Sequence, residues 1–404
     1  MKRFNYEAKD TSSGKIAKAS IQAESENAAA KLLIAQGFSP RKITEASDEN
    51  ASLVDRLTGR ITTKDKVIFT RQLATLIGAG LPLSQSLRTA ADQTSNKKLK
   101  TVLEDVIASV EGGKSLAASF SKHDEVFDKI FLALVEAGEA SGTLDDSLQR
   151  VAAQQEKDAA MMSKIRGAMT YPLIVLVVIG LVVGFMMLVV VPQVKKLYID
   201  LHQTLPLPTQ IMVGFADFVA HFWWLVGGLL IIAGYFYGQY LRTDNGIKFK
   251  DTMKLNLPLF GKMFRKLYMA RFTRTGQTLL KTGVPMLDML KISAEAVNNT
   301  IIGNSITKAS EKVKGGKALS SSLASEEYIL PFVPQMIKIG EQSGKVDEMM
   351  GKAAQVYEDE LDEEIKALST AIEPMLMVVL AVVAGGLVGA ILLPIYGLVN
   401  KVGL

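Results

Sequence analysis

Chemistry in this 404-residue chain would have to come from very little. There is no cysteine, so disulfides, thiolate metal ligands and Cys nucleophiles are excluded. The three histidines, His123, His202 and His221, are scattered, whereas a zinc site needs several ligands converging. Gly112-Gly113-Lys114-Ser115 has the look of a phosphate-binding loop. That loop requires an earlier glycine, and Ala108 stands in its place. A second copy, Gly315-Gly316-Lys317, has Glu311 there and Ala318 where the Mg²⁺-binding hydroxyl belongs. Both strings follow a helical pattern and read as helix-ending turns. No Ser/His/Asp set or paired-carboxylate cleft stands out. The chain is expected not to be an enzyme, with no catalytic, cofactor-binding or metal residues.

Four charged residues remain as candidates for a partner interface: Arg71, Glu139, Arg274 and Glu341. Each glutamate lies in a Gly-Glu-x-Ser-Gly string, at 138–142 and 340–344. One reading makes Glu139 and Glu341 interface or cation-binding residues at a helix junction. The plainer one is a Gly-bounded turn with Glu near the next helix N-terminus, which favours negative charge. Arg71 and Arg274 either pair within the chain, for instance with those glutamates, or bind partners. The acidic run Glu358–Glu364 is a solvated helix face or a dock for a basic partner.

These residues recur because the chain repeats itself. Phe69-Thr70-Arg71 returns 203 residues later as Phe272-Thr273-Arg274. Leu76, Gly80, Pro82 and Leu87 return as Leu279, Gly283, Pro285 and Leu290. From the Gly-Glu-x-Ser-Gly strings onward the offset is 202, and it relates Pro172 and Pro192 to Pro374 and Pro394. Each copy is helical. Thr62 with Asp65 forms a capping box. Phe69, Leu73, Leu76 and Ile77 share one face, and Gly80 then Pro82 stop one helix and start the next. Further helices fit Lys97–Glu111, Lys129–Ala137 and Leu144–Met162, giving antiparallel bundles.

Three runs lack Asp, Glu, Lys and Arg altogether: Gly167–Val194, Phe218–Leu241 and Pro374–Asn400. Each exceeds the roughly 20 apolar residues that cross a bilayer as helix. Near their ends, eight Lys and Arg lie on one side and three on the other, which places the N-terminus and residues 242–373 in the cytoplasm. Trp223 and Trp224 mark the outer end of the second span, Tyr237 and Tyr240 its inner end. The second span has no counterpart in the repeat. It returns the chain to the cytoplasm, so that both copies face the same way. All three spans carry glycines four apart (Gly180/Gly184, Gly234/Gly238, Gly385/Gly389), a spacing that lets helices approach closely.

The net charge of +5 is too small to indicate nucleic acid as partner. At the start, Phe4, Tyr6 and Ala8 alternate, a turn follows at Ser12-Ser13-Gly14, Ile16–Ile21 is extended, and Glu24–Gln36 reads as a helix. The fold expected is a mainly α membrane protein: two duplicated cytoplasmic antiparallel helical bundles, three transmembrane helices and a small N-terminal α/β module. The module covers 1–45 and a linker 46–61. Bundle 1 is 62–170, the first span 171–191, an external loop 192–221 and the second span 222–241. Bundle 2 is 242–373, the third span 374–397 and an external tail 398–404.

Taken together, the N-terminal module, the two Phe-x-Arg…Gly-x-Pro domains, the two Gly-Glu-x-Ser-Gly turns and Lys164-Ile165-Arg166 leading to Tyr171-Pro172 make the chain resemble a known family. It is the type II secretion F / type IV pilus PilC (GspF) family of inner-membrane platform proteins. The second copy departs from the pattern, with Glu373-Pro374 in place of Tyr-Pro. The resemblance implies a non-enzymatic scaffold, multi-pass in a bacterial inner membrane, of a type IV pilus or type II secretion machine. The implied partners are a cytoplasmic hexameric assembly ATPase (a retraction ATPase being a further candidate), prepilins or pseudopilins, alignment-complex proteins and further copies of the chain. A small membrane transporter or channel is the competing reading. It is disfavoured because mid-membrane sites ordinarily need charged residues.

Overall fold

The structure, a computed structural model, describes residues 2–10, 16–23, 30, 38–45, 60–200, 207–258 and 260–402. The chain divides into two units. One comprises residues 1–61 with 96–98, the other everything else. The first contains a three-stranded antiparallel sheet of β1 (Lys2–Asp10), β2 (Ile16–Ala23) and β3 (Phe38–Glu45) in the order β2-β1-β3. Strand β3 was not among the expected elements, and it contains Pro40, a residue that strand interiors disfavour. Its position explains the exception. It is an edge strand, and Pro40 pairs with Ala8 where the β1–β3 register shifts, the kind of position to which proline is confined in sheets. The expected turn at 12–14 and nearly all of the expected helix 24–36 and linker 46–61 lie outside the described residues.

The second unit is helical. Bundle 1 comprises α1 (Thr63–Gly78), α2 (Leu83–Asp92), α3 (Lys97–Glu111), α4 (Leu116–Ser121), α5 (Lys129–Ser141) and the start of α6 (Leu144–Phe185). Helix α1 begins at a capping box: the Asp65 N–H donates to Thr62 Oγ1 and the Thr62 N–H to Asp65 Oδ2. Its apolar face feeds a core of four rings, Phe69, Phe120, Phe127 and Phe131, whose centroids lie 4.4–6.3 Å apart. Aromatic pairs prefer such tilted and edge-on arrangements.

Beyond bundle 1, α6 continues without a break into its apolar half. A π-helical turn at Met186–Val190 then leads into α7 (Val191–Asp200). Pro192 accounts for the wide turn, since its ring cannot fit against the carbonyl four residues back and its nitrogen has no proton to offer. Helix α8 (Leu207–Tyr240) follows, with non-helical angles at Phe222. Much of 192–221, expected as a loop, is therefore helix. Lys195 Nζ lies 2.6 Å from Asp217 and joins α7 to α8.

After α9 (Asp244–Asn256) comes bundle 2: α10 (Gly261–Lys281), α11 (Met286–Ala296), α12 (Thr300–Lys314), α13 (Leu319–Ala324), α14 (Phe332–Ser343) and α15 (Val346–Val402). It repeats bundle 1 helix for helix but not ring for ring. Phe272 matches Phe69, while Leu323 and Val333 stand where bundle 1 has Phe120 and Phe131. The two bundles share an apolar cluster of Met161 from α6, Met263 and Leu267 from α10, and Leu361, Ile365 and Leu368 from α15.

Two helical stretches, Leu144–Asp200 and Val346–Gly389, are long and apolar enough to cross a membrane. Their apolar halves are not core helices. Leu181 and Val382, for example, are 69% and 70% exposed. Apolar belts of that size are what a bilayer covers.

Candidate functional site

The two Gly-Glu-x-Ser-Gly strings close α5 and α14. Gly142 and Gly344, at φ +71° and +72°, are left-handed C-caps, a conformation few L-residues adopt. The leading glycines are needed for a different reason. A Cβ on Gly138 would lie 2.5 Å from Ser147 Oγ, and one on Gly340 2.7 Å from the Val346 Cα. Each serine hydroxyl donates back to a carbonyl of its own helix, Ser141 to Ala137 at 2.7 Å and Ser343 to Ile339 at 2.8 Å.

The glutamate between them caps a helix, but not the one that follows in sequence. The Glu139 carboxylate accepts from the N–H groups of Leu116 (2.7 Å) and Ala117 (3.0 Å), the free amides at the start of α4. Glu341 accepts from the Leu319 N–H (2.6 Å), the Ser320 N–H (3.3 Å) and the Ser320 hydroxyl (2.5 Å) at the start of α13. Each motif thus ties the penultimate helix of its bundle to the short helix before it and to the long helix after it.

Neither arginine meets these glutamates. Arg71 pairs through Nε and Nη2 with both oxygens of Glu156 on α6. Arg274 grips Glu358 on α15 in the same way, with Nε at 2.7 Å and Nη2 at 2.8 Å, and adds Nη1 to Gln277 at 2.6 Å. Glu156 and Glu358 are themselves 202 residues apart, so the repeated charges identify each other as partners. That match was available in the sequence and is the signal that would have found them. The two pairs differ in setting. Arg71 and Glu156 are 52% and 37% exposed, Arg274 and Glu358 only 13% each.

The acidic run is largely occupied. Glu358 also receives Lys157 at 3.3 Å and Asp362 receives Lys164 at 2.6 Å, both from α6. Glu360 and Glu364 share Lys266, each at 2.9 Å. It therefore serves as a seam between the two bundles. Along this seam Asp158 of α6 is packed so that its Oδ1 has no hydrogen-bond partner. Burial pushes its pKa up to about 6, against the pull of nearby Arg271.

Two grooves flank the seam. One, of about 790 Å³, lies between α5 and the α10–α11 corner and is bridged by Lys129 and Glu295, 2.6 Å apart. The other, of about 620 Å³, is lined by Leu255, Pro258, Arg265, Glu364 and Leu368. Among the described residues no group of three or more His, Asp or Glu is placed to hold a metal ion. What the arrangement offers is mechanical: two bundles, internally cross-braced, clamped to each other by charge and apolar contact, each ending in a helix that leaves it as a rod.

A family model described as type II secretion system protein F matches residues 69–192 and again residues 272–394. The N-terminal domain of the same protein family matches residues 1–44. The chain is 37% identical over 400 residues to the type IV pilus assembly protein PilC of Myxococcus xanthus, covering 99% of this chain and 96% of that one. It is 36% identical over 404 residues to the protein of that name in Thermus thermophilus, covering 98% of each. It is 34% identical over 407 residues to the type II secretion system protein F of Pseudomonas aeruginosa, covering 100% of each.

Proposed function

The chain belongs to the type II secretion system protein F family, and from that premise we propose that it is a non-enzymatic inner-membrane platform of a pilus or secretion machine. Its task is to couple a cytoplasmic assembly ATPase to the insertion of pilin or pseudopilin subunits into a filament. One observation carries this reading. Helices α6 and α15 each pass as one helix from a bundle core into an apolar segment, through Pro172 and Pro374 at the junction. The helix stays continuous across each proline, so a push on either bundle reaches the attached span through helix rather than through a flexible tether.

In this reading α6, α8 and α15 each cross once. The N-terminus and both bundles are cytoplasmic, and residues 192–221 and the C-terminus are external. The lysine and arginine bias supports that orientation. A Cβ added at Gly180, Gly184, Gly234, Gly238 or Gly385 would meet nothing within 4 Å, so these small faces are unused within one chain. They are the surfaces on which further copies of the chain, or the apolar helix of a pilin, would pack. Arg71, Glu139, Arg274 and Glu341 act here as braces that keep each bundle rigid under load.

Insertion of four glycines after Thr170, or after Ile372, tests the coupling. The variants are expected to insert, to fold their bundles and to retain the ATPase on co-purification, yet to assemble no filament. Normal piliation or secretion with either insertion would refute the reading.

A further inference from the structure

We propose that α9 lies on the cytoplasmic face of the bilayer as an anionic-lipid-binding helix, with Phe249 and Met253 at the headgroup–acyl boundary and Lys248 and Lys250 against lipid phosphates. The proposal rests on the topology proposed above, which puts Tyr240 at the inner membrane boundary.

Helix α9 begins within one turn of the end of α8. The Thr243 N–H and hydroxyl both donate to the Tyr240 carbonyl, at 3.0 and 2.7 Å, and Thr243 Oγ1 then accepts from the Gly246 N–H to cap α9. A Cβ at position 246 would collide with that same carbonyl, so glycine is what allows so tight a return.

The roll of α9 is fixed from its inner side. Leu255 is buried, and the Asp251 carboxylate accepts from the N–H (2.8 Å) and hydroxyl (3.0 Å) of Thr300 at the start of α12. The opposite face is left with Phe249 (53% exposed) and Met253 (43%), four residues apart and therefore stacked on one side. Lys248 and Lys250 flank them and are exposed, as is Arg242 just before the helix. Asp244 is the one exposed acid on α9. The Phe249 ring stands edge-on to Tyr240, centroids 6.5 Å apart, so the apolar strip continues the surface of α8.

An apolar strip between basic side chains, directly beneath a span, matches the chemistry of an anionic membrane surface. A second copy of α9 would meet it with like charge.

The chain has no cysteine, so each single-cysteine variant of the full protein carries one nitroxide label. In nanodiscs of phosphatidylglycerol and phosphatidylcholine, a label at Met253→Cys is expected to collide several-fold more often with oxygen than with a water-soluble nickel chelate. A label at Leu229→Cys on α8 should do the same, and one at Gln342→Cys the reverse. Omitting phosphatidylglycerol, or adding Lys248→Gln with Lys250→Gln, should lower the ratio at 253 several-fold. A water-like reading at 253 with a lipid-like one at 229 overturns this inference and leaves the topology standing. A water-like reading at 229 overturns the topology itself. Immobilisation at 253 with access to neither reagent means that protein covers the face, and a ratio indifferent to lipid charge means that phosphates do not hold it. Either result overturns the proposal.

Discussion

Arg71 and Arg274 hold equivalent positions in the two copies, and their surroundings set different consequences for losing them. Arg71→Ala removes an exposed pair and is expected to cost under about 1 kcal/mol. Arg274→Ala leaves Glu358 mostly buried with only Lys157 beside it, and is expected to cost about 2–3 kcal/mol. Thermal unfolding of the two variants in detergent checks the contrast. Asp158 makes the opposite prediction. Its pKa is raised to about 6, so between pH 4 and 6 the folded chain holds a proton that the unfolded chain has released. Stability therefore falls as pH rises through that interval, and above it the buried charge imposes its full penalty. Asp158→Asn is expected to raise stability at pH 7.5 by about 1–3 kcal/mol and to change little at pH 4, read from melting temperatures at the two values.

At the level of elements, the two leading glycines of the Gly-Glu-x-Ser-Gly turns give a matched pair of tests. Gly138→Ala presses on the Ser147 Cβ at 2.6 Å and the Leu144 Cα at 3.2 Å, and Gly340→Ala on the Val346 Cα at 2.7 Å, so neither clash is relieved by turning a side chain. Both are expected to destabilise to a similar degree, by about 1–3 kcal/mol, in chemical or thermal denaturation. These elements also show what a single sequence can and cannot disclose. The capping box at Thr62, the stop at Gly80 and the extent of α3 are local events, set by residues within a turn of each other, and they were legible. That Glu139 and Glu341 would neutralise a helix N-terminus was legible too. Which helix was not, because α4 and α13 are nearer in space than in sequence. Pro192 was legible as a bracket, but a proline inside an apolar stretch can end a helix or widen it. Here a π turn widens it, and the following residues stay helical. The polar seam of Gln154, Asp158 and Arg271 left no periodic signature, since its members face one another only once the bundles dock.

For the molecule as a whole, the duplication was the most readable feature, because ordered matches over more than a hundred residues need no structure to interpret them. How the copies join was not readable. The clamp between α6 and α15 uses Lys157 and Lys164 of one copy against Glu358 and Asp362 of the other, so it depends on where the copies have diverged. Residue 300 is expected inside the cell and residue 204 outside. In this cysteine-free background, Asn304→Cys, an exposed position one turn further along α12, should react with an impermeant maleimide only after the inner membrane is opened, and Thr204→Cys without it. The reverse pattern would invert the topology.

Helix α15 runs 57 residues, Pro374 included, and at 1.5 Å per residue spans about 85 Å. Were bundle 2 to rock by about 5° with α15 straight, the far tip would sweep roughly 7 Å, somewhat more than half the thickness of a neighbouring helix. The companion arm built on α6 carries a π turn at Met186–Val190, towards the far end of its apolar stretch. Distances between spin labels on the outer ends of the two arms, taken with and without ATPase turnover, would measure the sweep. The duplicated halves began as copies, yet a π turn occupies in the first the stretch whose counterpart in the second, residues 388–392, is α-helical.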